Sequence, residues 1–198
     1  MIDLYLASGS PRRRELLGQT GVTFERISAE IDETPLAGET PRDYVLRLAA
    51  AKAEAGWAAM LAQGLPAKPL LAADTTVALG DVILGKPVDA FDATRMLKLL
   101  SGTTHDVLTG VGLRTADGVD VVLSQSRVTF MSLSDAQIAA YVASGEPMDK
   151  AGAYGIQGLG GLFVANLAGS FTGVVGLPLH DTALLLGRHG LGHLAEQA

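Results

Sequence analysis

The chain has 198 residues, 48% hydrophobic and 18% charged, a composition that fits one soluble globular domain over 1–198 with a substantial core. A net charge of −6 speaks against broad attraction to a nucleic acid polymer or an anionic membrane, and the absence of cysteine excludes disulfides, thiol nucleophiles and thiolate metal sites. No apolar stretch reaches the length of a membrane span and the N-terminus has no signal-peptide pattern, so a reducing cytoplasm is the expected setting.

Residues 2–7 form an apolar run that reads as a strand, broken at Ser8-Gly9-Ser10-Pro11 by a helix start. Ser10 suits the cap and Pro11 the first turn, where no amide hydrogen bond is lost. Arg12 and Arg13 then place cations at the helix end that prefers acids. Free N–H groups and two guanidinium groups at one helix start are better explained by an anionic ligand, a phosphate chain, than by stability. Residues 23–28 read as a second strand and 29–39 as an acidic, irregular loop. Thr40-Pro41-Arg42-Asp43 marks a helix start, and the helix is expected to reach about 63 with Tyr44, Leu48, Ala51 and Ala55 on its apolar face. Residues 70–79 read as an apolar strand, followed by a Gly80-Asp81 turn and a short strand over 82–84. A helix is expected over 92–100, then a hairpin of strands 105–114 and 121–131 around Ala116-Asp117-Gly118. Ser134 and Gln137 form a capping box for a helix over 134–144. A glycine-rich stretch, 151–161, precedes two expected strands, 162–168 and 171–175, either side of Gly169-Ser170. The last helix is expected over 178–187, with a mobile tail after about 188. The alternation indicates an α/β fold with a mixed β-sheet and flanking helices.

Asp74 sits within Leu70-Leu71-Ala72-Ala73-Asp74-Thr75-Thr76-Val77, a run otherwise suited to burial. A carboxylate there must be paired, metal-bound or at a strand end facing a cleft. Lys86, between Gly85 and Pro87, is held by a constrained backbone; a solvated turn lysine and a ligand for phosphate both stay open. Lys52 lies alone among small residues, where a surface lysine is the simpler reading. Glu33 belongs to the acidic loop, where solvation is the simpler reading. Residues 152–161 hold five glycines in ten, neither a dinucleotide fingerprint nor a P-loop. They read as a backbone that must pass close to another segment or a ligand, with Tyr154 and Gln157 able to read a base. The four histidines show no metal or catalytic pattern, and Ser8 and Ser10 lack a nucleophile elbow.

In this order, Leu6-Ala7-Ser8-Gly9-Ser10-Pro11-Arg12-Arg13, Lys52, Ala73-Asp74-Thr75, Gly85-Lys86-Pro87, Leu100-Ser101-Gly102, residues 149–158 and Gly176-Leu177-Pro178 resemble the Maf family of nucleoside triphosphate pyrophosphatases. The resemblance implies an elongated, two-lobed fold related to the inosine triphosphate pyrophosphatases, with a central cleft. It implies hydrolysis between the α- and β-phosphates, to a nucleoside monophosphate and pyrophosphate. By resemblance Asp74 accepts the proton of the attacking water, directly or through a metal-held water; Glu33 and Asp74 are hard oxygen ligands suited to Mg²⁺ or Mn²⁺, and Glu33, Lys52 and Lys86 complete the catalytic set. Ser8, Arg12, Arg13, Thr75 and Gln157 are then the substrate-binding residues, and the family habit is a homodimer.

Arg12, Thr75 and Gln157 match the branch acting on dTTP and UTP. The 7-methyl-GTP branch typically carries Gln after the aspartate and Glu in place of Gln157. A Gln amide both donates and accepts, and so matches O4 and N3–H of uracil or thymine. Two other readings compete: the same reaction on another base, and a nucleotide-binding regulator of septum formation that acts without turnover.

Overall fold

The computed structural model describes residues 2–192. One seven-stranded sheet runs through the molecule in the order β2 (Phe24–Arg26), β1 (Leu4–Ala7), β3 (Leu70–Leu79), β5 (Thr104–Thr115), β6 (Gly118–Phe130), β7 (Val164–Ala168), with β4 (Val82–Leu84) paired to β3. β1 is parallel to β2 and β3, while the β3–β4, β3–β5, β5–β6 and β6–β7 pairs are antiparallel. The helices are α1 (Pro11–Gly18), α2 (Pro41–Ala62), α3 (Ala90–Leu100), α4 (Asp135–Ala143), α5 (Phe171–Val175) and α6 (Leu179–Arg188). The expected mixed α/β sheet with flanking helices is therefore present.

The pairing of β3 creates the opening that matters. β5 covers one edge of β3 from Leu70 to Ala78. On the other edge β1 pairs only as far as Ala72, and β4 begins only at Val77. Residues 73–76 thus border a gap where β1 has ended and its chain turns into α1. Crevices beyond the carboxyl ends of parallel strands are where α/β sheets take ligands.

The apolar side chains divide at the same level. Leu4, Leu6, Leu17, Leu71, Ala73, Val111 and Leu113 belong to one core, and Val77, Leu97, Leu100, Val107, Phe130, Tyr154 and Phe163 to another. On the face shared by these residues, Thr75 and Thr109 stand opposite each other between the two cores. The side-chain period of 2 then sends Asp74 to the other face, toward α2.

Helix α2 lies close on β3 and β5 because small residues let the backbones approach. A Cβ at Gly110 would come within 2.7 Å of the Val45 carbonyl oxygen, and one at Gly112 within 2.9 Å of that of Ala49. The buried stripe of α2 is Val45, Leu48, Ala49, Ala53, Gly56 and Met60, with Tyr44 at its start. Ala51 and Ala55, expected on that face, are only partly buried, since the glycine contacts set the helix's rotation about its axis.

Residues 171–175 form α5, not the expected strand. Gly169 (φ +131°) turns the chain out of β7, and Ser170 Oγ then accepts from the Gly173 amide at 3.0 Å as an N-cap. The cap outweighs the β-branched composition of Phe171-Thr172-Gly173-Val174-Val175. The capping box of Ser134 and Gln137 is present, and α3, capped by Asp89, begins at Ala90, two residues ahead of the expected start. Of the expected tail after about 188, residues beyond Gly192 lie outside the described residues.

His105, at the head of β5, is a core residue. Its Nε2 is 2.9 Å from the Tyr154 hydroxyl and its ring meets Phe130 edge-on. Burial pushes its pKa down to about 4, against an ordinary 6.5. The unfolded chain therefore takes up a proton that the folded state refuses. Stability should fall by about 3 kcal/mol as pH drops from ~6.5 to ~4, with no further loss from this group below that. Urea midpoints against pH, compared with those of His105→Gln, should show this slope in the native protein and a flatter one in the variant.

Candidate active site

The gap beside β3 opens into a cavity of about 900 Å³. Its walls come from the β1–α1 turn, Glu33, α2, β3, Gly85-Lys86, residues 146–158 and the end of α5. Every site residue expected from the sequence lines it: Ser8, Arg12, Arg13, Glu33, Lys52, Asp74, Thr75, Lys86 and Gln157.

Asp74 is 7% exposed, and its Oδ1 accepts from Lys52 Nζ at 2.6 Å. The same ammonium is 2.8 Å from Glu33 Oε1. Lys52 is thus no surface lysine: its side chain is 17% exposed and joins two carboxylates at the cavity floor. The small neighbours Ala49 and Ala53, by letting α2 approach β3 and β5, bring the ammonium to the strand.

Glu33 is likewise more than a solvated loop acid. The Tyr44 hydroxyl donates to the Glu33 carbonyl at 3.0 Å, and Arg47 Nη2 donates to that of Thr34 at 3.2 Å. Arg47 is fixed in turn by a two-point pair with Glu39, at 2.6 and 2.7 Å. Tyr44 and Arg47 are contributors that the sequence alone did not single out, because both serve through backbone atoms of a loop.

At the β1–α1 turn, Ser8 Oγ accepts from the Ser10 amide at 3.2 Å and Ser10 Oγ accepts from the Arg13 amide at 3.4 Å, the expected cap. Arg13 Nε donates to the Gly176 carbonyl at 2.8 Å and its Nη2 to Thr75 Oγ1 at 3.1 Å. Thr75 Oγ1 is 2.9 Å from Thr109 Oγ1, which donates to the Gly173 carbonyl. Arg13 and Thr75 therefore brace α1, β3 and α5 around the cavity. Burial lowers the Arg13 pKa, while the Asp74 and Glu33 charges act in the opposite sense.

Arg12 faces the cavity from the first turn of α1, 3.7 Å from Asp149 Oδ2. Lys86 is exposed at the rim and, among the described residues, has no ion-pair partner. An unpaired cation lining the same cavity as the paired Lys52 suits an incoming anion.

The glycine-rich stretch folds as short 3₁₀ turns over Ala151–Ala153 and Leu159–Phe163, and its backbone does pass close to other segments. Gln157 is exposed and lines the cavity. Tyr154 also lines the cavity, but it is 5% exposed and its hydroxyl is committed to His105, so it is not free to read a base as expected. Its ring is drawn into the aromatic cluster with Phe130, a contact invisible from local sequence. Glu146, Asp149 and Lys150 also line the cavity. Burial works against ionisation of Glu146, but donors from Gly160, Leu159 and Tyr141 outweigh it and hold its carboxyl below the usual value. Nothing in Gly145-Glu146-Pro147 announced this residue, since its partners lie 5 to 14 positions away.

A strand-borne carboxylate held on a lysine, a helix N-terminus and further cations round one cavity mark an α/β protein with a cation-lined cleft suited to an anionic ligand. The family model described as Maf-like protein matches residues 3–189, and the chain belongs to that family. It is 57% identical over 187 residues to a Chromobacterium violaceum protein named dTTP/UTP pyrophosphatase, covering 94% of each chain. A Dechloromonas aromatica protein of the same name is 55% identical, over 94% of this chain and 97% of that one. An Escherichia coli protein, again so named, is 56% identical over 94% and 92%. Among solved structures, the Ham1 protein of Staphylococcus aureus aligns with a TM-score of 0.43 and 14% identity, over 64% of this chain and 71% of that one.

Proposed function

We propose that the chain is a pyrophosphatase that hydrolyses dTTP and UTP between the α- and β-phosphates, releasing the nucleoside monophosphate and pyrophosphate. The observation that carries this reading is the buried Asp74 carboxylate, hydrogen-bonded to Lys52 at the floor of a cation-lined cavity. A module that only bound nucleotide would have no need of a carboxylate beside a polyanion. The pyrimidine preference rests on Gln157 in the cavity wall and on relatives named dTTP/UTP pyrophosphatase.

In this reading a water attacks the α-phosphorus, Asp74 takes its proton, and the bond to the bridging oxygen breaks as pyrophosphate leaves. Lys52 orients Asp74 and faces the phosphate oxygens. Arg12, Lys86 and the first amides of α1 hold the chain and balance the charge that develops on the leaving group. Ser8 and Ser10 shape the turn that presents those amides, and Arg13 and Thr75 keep that turn against β3.

A divalent cation fits this donor set. Glu33 and Asp74 already converge on one ammonium, so their carboxylates share a position suited to positive charge. Among the described residues no group of three or more His, Cys, Asp or Glu side chains could hold a metal ion, so substrate oxygens and water would complete the shell. Two carboxylates plus substrate phosphates is the ordinary arrangement for Mg²⁺, and Mn²⁺ accepts the same oxygens. When bound, the ion supplies charge neutralisation on the phosphate chain. A homodimer in the cytoplasm completes the proposal; no helix among the described residues is long and apolar enough to cross a membrane.

The test is pyrophosphate release from dTTP, UTP, CTP, GTP and 7-methyl-GTP by the purified protein. Turnover should be confined largely to dTTP and UTP, should stop with EDTA and should return with Mg²⁺ or Mn²⁺. Release of inorganic phosphate in place of pyrophosphate would contradict the proposed bond cleavage. Nucleotide binding without any turnover would favour the regulator reading.

A further inference from the structure

The wall that carries Gln157 is held by two side chains outside the phosphate site. Glu146 Oε2 accepts from the Leu159 amide at 2.9 Å, and its Oε1 accepts from the Gly160 amide at 3.1 Å and from the Tyr141 hydroxyl at 2.8 Å. The Tyr141 oxygen in turn accepts from the Gly155 amide at 3.1 Å. Amides on both sides of Gln157 are therefore tied to one Tyr–Glu pair.

That pair is itself anchored. Tyr141 is 3% exposed, on α4, with its ring edge-on to Phe163 at 5.0 Å. The Glu146 backbone is gripped at both ends: its amide donates to Ser144 Oγ and its carbonyl accepts from Lys150 Nζ at 2.6 Å. The glycines of the loop are what allow the approach. A Cβ at Gly158 would stand 2.4 Å from Glu146 Oε2, and one at Gly160 2.6 Å from the Tyr141 oxygen.

We infer that Tyr141 and Glu146 are positioning residues for base selectivity, fixing the backbone on either side of Gln157 so that its amide meets the pyrimidine edge in one orientation. The inference rests on the proposed reading of the base by Gln157. An exposed glutamine in a glycine-rich loop would otherwise sample many positions, and a mobile amide discriminates poorly between a carbonyl and an amino group at the same ring position. Three backbone bonds to one carboxylate–hydroxyl unit remove that freedom.

The test is the ratio of kcat/KM for UTP to that for CTP, which cancels any difference in the fraction of active enzyme. Glu146→Gln keeps shape but sets an amide donor against either the Leu159 or the Gly160 N–H group, and should lower the ratio about tenfold. Tyr141→Phe keeps the ring against Phe163, removes only the hydroxyl, and should lower it several-fold. In a Gln157→Ala background neither change should lower the ratio further, because no side chain remains to be aimed. A collapsed ratio in Gln157→Ala with an unchanged one in both Glu146→Gln and Tyr141→Phe would overturn the inference and leave the base reading intact. An unchanged ratio in Gln157→Ala would instead remove the base reading itself, and the inference with it.

Discussion

Asp74→Asn should lose about 10²–10⁴ of kcat while nucleotide binding persists. The amide has nearly the shape of the carboxylate, so Lys52 Nζ, 2.6 Å from Oδ1 in the native protein, can still donate to an oxygen there. An amide cannot accept the proton that the attacking water must lose. Binding behaves differently, because Arg12 and Lys86 are untouched and a negative charge has been removed from beside a polyanion. Affinity for a UTP analogue with a non-hydrolysable α,β bridge should therefore be retained or increased. Titration calorimetry with that analogue, beside steady-state turnover of UTP, separates the two effects. A kcat near the native value would remove Asp74 from the chemistry. Parallel loss of binding and turnover would place it in substrate or cation binding alone.

Gln157→Glu should reduce kcat/KM for dTTP and UTP by about 10–10²-fold, and reduce it less for GTP. The substituted carboxylate only accepts, so it repels O4 of the pyrimidine where the amide donated. Sites that hydrogen-bond a buried group can discriminate more strongly, but Gln157 is exposed at the cavity wall and water softens the penalty. The cations proposed to hold the phosphates lie on other elements, α1, α2 and the Gly85-Lys86 turn, so the loss should depend on the base. Kinetics with dTTP, UTP, CTP and GTP under one set of conditions provide the check. An equal fall for all four nucleotides would assign Gln157 to the loop or the phosphates.

The Asp74 and Gln157 predictions differ in how far each residue could be understood before the fold was known. Asp74 stands out in an apolar strand because burial of an unpaired carboxylate is costly, and that cost is readable from its neighbours in the chain. Ser10, Thr40 and Ser134 were legible for a similar reason: a cap acts over three residues. The β3 strand and the α2 helix were legible as elements because period and composition act along the chain. Residues 171–175 misled, since β-branched composition is a weak preference and a serine cap with a turning glycine overrode it.

What the amino-acid sequence determined by itself was therefore the local vocabulary: which segments form strands and helices, where most helices start, and which polar residues are out of place. The family resemblance pointed to roles for Lys52 and Glu33, which local reading had left as solvated groups, and for Lys86, which it had left open. Only the tertiary structure decided that Lys52 joins Glu33 to Asp74, that Tyr154 belongs to the core, and that Glu146 holds the loop around Gln157. These pairings span 13 to 49 residues: those of Lys52 arise where β1 stops short on the edge of β3 and glycines let α2 settle onto the sheet, and those of Tyr154 and Glu146 where the glycine-rich segment packs back on β5 and α4. Such contacts follow from how elements pack, and packing depends on the shape of all of them together, which no local window contains.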